Sequence, residues 1–529
     1  MPLAFLAAFF VYPLAALFVE GFRFGPDEIG GVFSRSRFWR TAWFTVWQAV
    51  VSTAVTLLIS LPLSAVVGRY RFRGRSVLLA LVTVPFVLPT VVVASAFLAS
   101  LERLGLADRF GNSAAVIIAA HVFFNVAVVV RTVGGYWRGL DDRPEQAARV
   151  LGAGPIAAFR HVTLPRLRPA ILAATSIILL FTMTSFGVVL LLGGPRRGTL
   201  ETEIYRFALN RTDFGTAAVL AIVQLVAVLG LLVVNSWLAR RLTQRERRGA
   251  TARPRPRGRQ WLGIAAAVVP VMVFLTVPMS ALVERSFRSG GSYSWANYRA
   301  LTDRPPLLPV DGVTALSNSV RFAVAAMAIA VGVGVAASVV IASSSRAAHL
   351  RPSRAERAMG WVLDVGLLLP LGTSAVTLGF GFLVALDEPV DLRPTWIIIA
   401  LAQSLIGVPF VVRAVVPVLR SIDGHVREAA AALGASPSVV RREIELPMAR
   451  SAIGVGAVFA FAVALGEFGA TSFVGRSPDR MTVPLAIGQL LGQPGQQLRG
   501  QAMALSTILM VATIVVIMII DRNDRAGVL

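Results

Sequence analysis

The sequence predicts an all-α polytopic membrane protein of about twelve transmembrane helices in two pseudo-symmetric six-helix halves. Three observations carry that prediction. Apolar runs of about 20 residues, each long enough to cross a hydrocarbon core of roughly 30 Å, recur along the whole chain. Of the 529 residues 56% are hydrophobic and only 15% charged, where soluble domains carry roughly 25% charged residues. A polar, alanine-rich stretch at 427–447, "REAAAALGASPSVVRREIELP", interrupts the apolar runs and has a near copy at 145–165. The short alternating segments of a β-barrel are absent from the sequence.

Apolar runs fall near 2–20, 41–66, 76–101, 114–130, 169–194 and 215–238, then near 261–283, 318–344, 358–386, 395–419, 450–475 and 502–521. Met1 leads into the first run without a basic n-region or a small-residue cleavage site, which predicts an uncleaved first helix. The expected organisation is a first half at 1–238, an Arg/Pro-rich linker at 239–260 and a second half at 261–529. Threading twelve spans puts the arginine-rich loops 68–76, 239–260 and 343–358 on one side with both alanine-rich loops and the C-terminus. The positive-inside rule makes that side cytoplasmic, with both termini inside.

The net charge of +23 would suggest nucleic acid in a soluble chain, but here the arginines cluster in short loops between spans and set topology. Nucleic acid is not expected as a partner. Cysteine is absent, which removes disulfide and thiolate chemistry. Lysine is absent too, so all 51 basic residues are arginine. A phosphate-binding loop of the Walker type and Schiff-base chemistry both need lysine. If ATP drives this protein, another chain must bind it. Polytopic enzymes need convergent His/Asp/Glu or Ser/Lys constellations, for which four histidines and no lysine leave little.

The two alanine-rich loops align without a gap at one offset, Gly434 lying 282 residues after Gly152. At that offset Asp141 meets Asp423, Ala147 and Ala148 meet Ala429 and Ala430, Pro155 meets Pro437, and Pro165 meets Pro447. The register continues into the next apolar run, where Phe186-Gly187 meets Phe468-Gly469. Chance does not hold one offset through loop and span together, so the halves are duplicated. Each contains an even number of spans, which makes the repeat parallel and places a pathway between the halves.

Within each loop, strong helix formers end at a glycine, Gly152 or Gly434, the usual C-terminal stop. A second helix restarts at Pro155 or Pro437, with Ser436 suited to cap it. Pro165 and Pro447 are expected to close it, since proline lacks the N–H and disfavours helix in the residue before it. The product is two short helices meeting at a bend. One such hairpin could merely link two spans. Two at equivalent places favour docking onto a two-fold partner.

The pattern E-A-A, a glycine after three further residues, then Leu-Pro, resembles the signature loop of ABC-importer permease subunits. Glu428, Ala429, Ala430, Gly434 and Pro447 fit it directly. The first copy has Gln146 in place of the leading glutamate, with Glu145 before it, then Ala147, Ala148, Gly152 and Pro165. The resemblance implies a type I ABC importer permease fold and makes these loops coupling helices that enter grooves on ATPase subunits. It further implies two ABC ATPases on the cytoplasmic face, an extracytoplasmic solute-binding protein, membrane lipid, and a bacterial cytoplasmic (inner) membrane location. ATP and Mg would be used by the partner ATPase, with no cofactor or metal bound by this chain. Two fused halves resemble thiamine and ferric-iron permeases, and "AHVFFN" (120–125) and "SFGVVLLLGGP" with "TLETEIY" (185–205) look closer to the thiamine type.

For the pathway, Glu467 is the most informative residue, because an acid within a span is expensive unless paired or hydrated. It would suit a cationic solute, or it serves as a structural hydrogen-bond acceptor near the end of the span. Ser185 is its neutral counterpart in the first half, and Phe186, Phe468 and Asn125 complete the candidate pathway. Asn125 and His121 read first as helix–helix hydrogen-bonding residues, and Gly332 and Gly334 as packing contacts. The alternative transport reading is a twelve-helix secondary transporter driven by an ion gradient. It predicts several intramembrane charges, whereas Glu467 reads as nearly alone.

Overall fold

A computed structural model describes residues 1–242, 254–305, 308–344, 359–360, 362–363, 366–367, 369–386, 391–475 and 477–523. Among them ten helices are long and apolar enough to cross a membrane, and one further pair, bent by 103°, passes that test together. In the first half these are α1 (Pro2–Arg23), α2 (Ser36–Arg69), the bent pair α3 (Arg75–Val87) and α4 (Thr90–Arg103), and α5 (Ala114–Gly139). The surface helix α6 (Arg143–Val150) precedes α7 (Pro155–Met183), the short α8 (Gly187–Leu192) and α9 (Leu200–Tyr205), and α10 (Phe214–Leu242). The second half repeats this order with α11 (Gln260–Phe287), α12 (Gly312–Ser344), α13 (Ala375–Ala385), α14 (Ile397–Ser421) and the surface helix α15 (Gly424–Ala432). It ends with α16 (Pro437–Gly466), α17 (Thr471–Val474), α18 (Val483–Leu491) and α19 (Gln496–Asn523).

Three expected spans are corrected. The run near 76–101 is two helices, because Leu88 and Pro89 are both extended, with ψ near 140°. Proline disfavours helix in the residue before it, and that restriction makes the bend. The runs near 169–194 and 450–475 each contain a break: α7 stops at Met183 and α16 at Gly466, short of the apolar limit. Hydropathy cannot see such breaks, because irregular backbone at membrane depth is tolerated where protein buries it. The run at 358–386 and the linker at 239–260 lie partly outside the described residues.

Small residues set the close helix pairs. In the first half α2 packs on α5, where a Cβ at Gly68 would stand 2.8 Å from Trp137 Cβ. In the second half α12 packs on α14, where a Cβ at Gly334 would stand 2.7 Å from Val411 Cβ. Gly334 is thus the packing glycine expected; Gly332 has open space beside it and is not. The halves also exchange their first helices. Helix α1 packs on α13, with Phe9 against Phe382 at 6.5 Å, and α11 packs on α4, with Phe274 against Phe97 at 6.4 Å. Each half therefore packs its first helix on the other half, against the equivalent helices α13 and α4.

Candidate functional site

Both alanine-rich loops form the same elbow. Helix α6 ends where Gly152 takes φ +90°, and α15 where Gly434 takes φ +83°, a region that costs other residues strain. In the first elbow Ala153 N–H donates to Ala148 O at 3.0 Å and Gly152 N–H to Arg149 O at 3.1 Å. In the second, Ala435 N–H donates to Ala430 O at 3.0 Å and Gly434 N–H to Ala431 O at 2.9 Å. This is the Schellman closure, which satisfies carbonyls a helix end otherwise leaves open. Ser436 caps the next helix by accepting from Val439 N–H at 3.4 Å, and Pro155 and Pro437 take its first turn.

The expectation that Pro165 and Pro447 close the second piece is corrected. The chain runs helical from Pro155 to Met183 and from Pro437 to Gly466. One widened turn, Phe159–Thr163 or Arg441–Glu445, precedes each proline, and Leu164 and Leu446 N–H reach back five residues to Phe159 and Arg441. The widened register absorbs the missing N–H and the ring, as π-bulges do. Each elbow is therefore continuous with a helix of 29 or 30 residues, about 45 Å long.

The elbows expose apolar surface: Leu151 is 87% and Leu433 89% exposed, at equivalent positions. Ala147 and Ala429 are exposed beside them, and Ala148 and Ala430 half-buried. The first elbow adds Val150 at 87% and Ile156 at 82%, where the second has Ala432 and Ser438.

The side chains that anchor the elbows differ. Glu145 binds Arg69 at the end of α2 and accepts from the Thr163 hydroxyl at 2.7 Å. At the equivalent position Arg427 pairs with buried Glu445 at 2.7 Å, and Glu445 stands in the place of Thr163. Acid and base have thus changed sides between the copies. Gln146 and Glu428 both face outward, Glu428 lying 3.3 Å from His425. Among the described residues the leading motif residue is exposed in both elbows, and the side chain that anchors the elbow is the one before it.

At the far ends of α7 and α16 lie the two breaks. Ser185 and Phe186 occupy the first, Glu467 and Phe468 the second, and the rings of Phe186 and Phe468 stack across the seam at 5.4 Å and 22°. His121 Nε2 lies 2.8 Å from Ser185 Oγ and its Nδ1 3.3 Å from Ser52 Oγ, so His121 ties α5 to α2 and to the break. Asn125 donates to the His121 carbonyl at 2.8 Å, within its own helix. Glu467 accepts from Ala470 N–H at 2.7 Å and Thr471 N–H at 2.9 Å, which makes it the cap of α17.

Glu467 is not nearly alone. Glu201, on α9, is fully buried and accepts from the Ser374 hydroxyl across the seam, and Glu203 beside it pairs with Arg37 and Arg206. Both carboxylates lie in "TLETEIY", but a six-residue helix between loops carries no hydropathy signal that would place them in the membrane. The signal was the charge itself, placed between two apolar runs without an arginine loop.

Two similar helical halves crossing a membrane, each with a surface elbow joined to a long helix, define a membrane transport permease. The sequence profile described as "Binding-protein-dependent transport system inner membrane component" matches the chain twice, over residues 60–248 and 337–523. The chain belongs to that family. It is a multi-pass inner-membrane permease of the ABC-importer class, and such systems pair the permease with a solute-binding protein and an ATPase. That decides between the two transport readings. The thiamine transport system permease protein ThiP of Brucella abortus (strain 2308) is 28% identical over 542 residues, covering 99% of this chain and 94% of its own. ThiP of Escherichia coli (strain K12) is 25% identical, covering 90% of this chain and 88% of its own. PhnU of Salmonella choleraesuis (strain SC-B67), named for 2-aminoethylphosphonate transport, is 28% identical over 46% of this chain and 91% of its own. A half-length permease thus aligns with about half of this one.

Proposed function

We propose that this permease imports thiamine, driven by two ATPase subunits that dock on the elbows. The observation that carries the solute is end-to-end similarity to thiamine permeases in which both halves are fused. The face bearing the elbows is cytoplasmic in this reading, which the arginine-rich loop 68–76 beside the first elbow supports. Trp39, Trp43 and Trp47, exposed along one flank of α2, suit contact with lipid near the opposite boundary. Glu145, Gln146, Ala147, Ala148, Gly152 and Pro165, with Glu428, Ala429, Ala430, Gly434 and Pro447, form the two coupling surfaces. ATP and Mg belong to the partner, and this chain holds no cofactor of its own. Solute leaves the binding protein at the opposite face and passes between the halves, by way of the seam at Ser185, Phe186, Glu467 and Phe468, with Asn125 behind it.

The test is uptake of labelled thiamine into proteoliposomes holding the permease, its ATPase and its binding protein. ATP-dependent uptake of thiamine, at least tenfold above ferric iron, is expected. Uptake that ignores ATP and follows a proton gradient would overturn the mechanism, and ferric iron transported in preference would overturn the solute.

Glu467 acts in this mechanism as the cap that presents Phe468. Glu467→Gln keeps one acceptor oxygen, so it should reduce uptake less than twofold while costing about 1 kcal/mol of stability, read as a lower melting temperature. A tenfold loss of uptake at unchanged stability would put its charge on the pathway instead.

A further inference from the structure

On the face opposite the elbows, a cavity of about 510 Å³ opens at the seam between the halves. The first half contributes Tyr205 and Asn210, the second Phe468, Gln489 and Gln493. Its remaining lining is leucine and glycine, and among the described residues that line it none is acidic, basic or histidine. The floor is aromatic. Phe468 stacks on Phe186, Phe186 lies 5.2 Å from Tyr205, and Tyr205 meets Phe473 edge-on at 5.8 Å. Two glycines let the floor close. A Cβ at Gly488 would stand 3.1 Å from the tip of the Phe468 ring, and one at Gly187 would stand 3.1 Å from its other side.

We infer that this seam cavity is the entry site for a flat heteroaromatic cation, and that the Phe186–Phe468 stack is the door behind it. The inference rests on the thiamine reading above and assigns the place where that solute first meets the permease. A ferric ion needs carboxylate, phenolate or imidazole ligands in number, and a phosphonate needs arginine or lysine. The lining offers one phenol and no charge. Aromatic faces attract a delocalised cation without the desolvation cost of a carboxylate pair. Neutral amides such as Gln489, Gln493 and Asn210 supply both donors and acceptors for a heteroaromatic edge. Behind the stack the environment changes: Glu201, one helical turn before Tyr205, is fully buried and bonded across the seam. A solute that passes the rings therefore moves from an uncharged antechamber toward a carboxylate.

The natural chain has no cysteine, so any introduced thiol is unique. In proteoliposomes of the complete assembly, Gln489→Cys should react with a membrane-impermeant maleimide added from the binding-protein side, and Glu201→Cys should not. Adding Phe468→Ala to Glu201→Cys should raise its labelling at least tenfold. Equal labelling of the two single variants, or no rise with Phe468→Ala in a correctly assembled complex, overturns the door. Thiamine-loaded binding protein should slow labelling of Gln489→Cys at least fivefold relative to empty binding protein, and ferric ion should not slow it. Unslowed labelling in an assembly that imports thiamine overturns the entry site and leaves the function standing. An assembly that imports no thiamine removes the function itself, and the solute assigned to this cavity with it.

Discussion

Replacing Leu433 and Leu151 together by aspartate is expected to abolish ATP-driven uptake while the permease reaches the membrane at its normal level. Both side chains are almost fully exposed, at 89% and 87%, beside the glycine that ends each elbow helix. Substitutions at such positions change stability within about 0.5 kcal/mol, so the fold has no reason to fail. Buried in a partner groove, each leucine would contribute about 1.5–3 kcal/mol. Losing both removes at least a hundredfold in affinity, since about 1.4 kcal/mol is a factor of ten, and a carboxylate forced into the same groove costs more. The double variant should therefore purify without its ATPase. Leu433→Asp alone should weaken ATPase retention more than Leu151→Asp, by threefold or more. The first elbow keeps Val150 and Ile156 as further apolar contacts, where the second has Ala432 and Ser438. Retention of the ATPase with normal uptake in the double variant would remove the elbows as its docking surface.

The elbows were legible in the sequence because their shape is local. A helix of good formers, a glycine stop and a proline restart lie within about 20 residues, and the offset of 282 between copies showed that one loop was two. The anchors were not legible, because Arg69 is 76 residues from Glu145 and the exchange of acid and base hides the equivalence. Prolines misled twice in opposite senses. Pro89 bends a run that hydropathy read as one span, whereas Pro447 sits inside a continuous helix because a widened turn precedes it. The breaks at Phe186 and Phe468 were hidden for a different reason. Phe186, Gly187, Phe468 and Gly469 are as apolar as the helices around them and Glu467 reads only as a charge within a span, so it takes the packing of Gly187 against Thr90 and of Gly469 against Ala375 to reveal that the backbone has turned. Glu201 stood in plain view as a charge, but its burial depends on Ser374 in the other half.

The second large effect concerns Arg427, which holds the second elbow to the helix that must carry its movement. Its guanidinium pairs with Glu445 and also donates to the carbonyls of Leu419 and Ile422, at 2.9 and 3.1 Å, closing the end of α14. Glu445 is 1% exposed at the side chain, so Arg427→Ala takes the guanidinium away from a buried carboxylate. Breaking such a pair from one side costs about 3–5 kcal/mol. Glu445→Gln should cost less, because an amide oxygen still accepts from Arg427. The functional consequence differs from that of the leucines. Leu433 remains on the surface in Arg427→Ala, so the ATPase should still bind and hydrolyse ATP. What is lost is the rigid joint between α15 and α16, the 30-residue helix that runs from the elbow to the break at Glu467 and Phe468. Uptake per ATP hydrolysed should therefore fall at least tenfold in Arg427→Ala and by a smaller factor in Glu445→Gln, measured in the same proteoliposomes. An unchanged ratio in Arg427→Ala would mean that the movement reaches the seam by another route, and the long helix would then be a support for the pathway and not its lever.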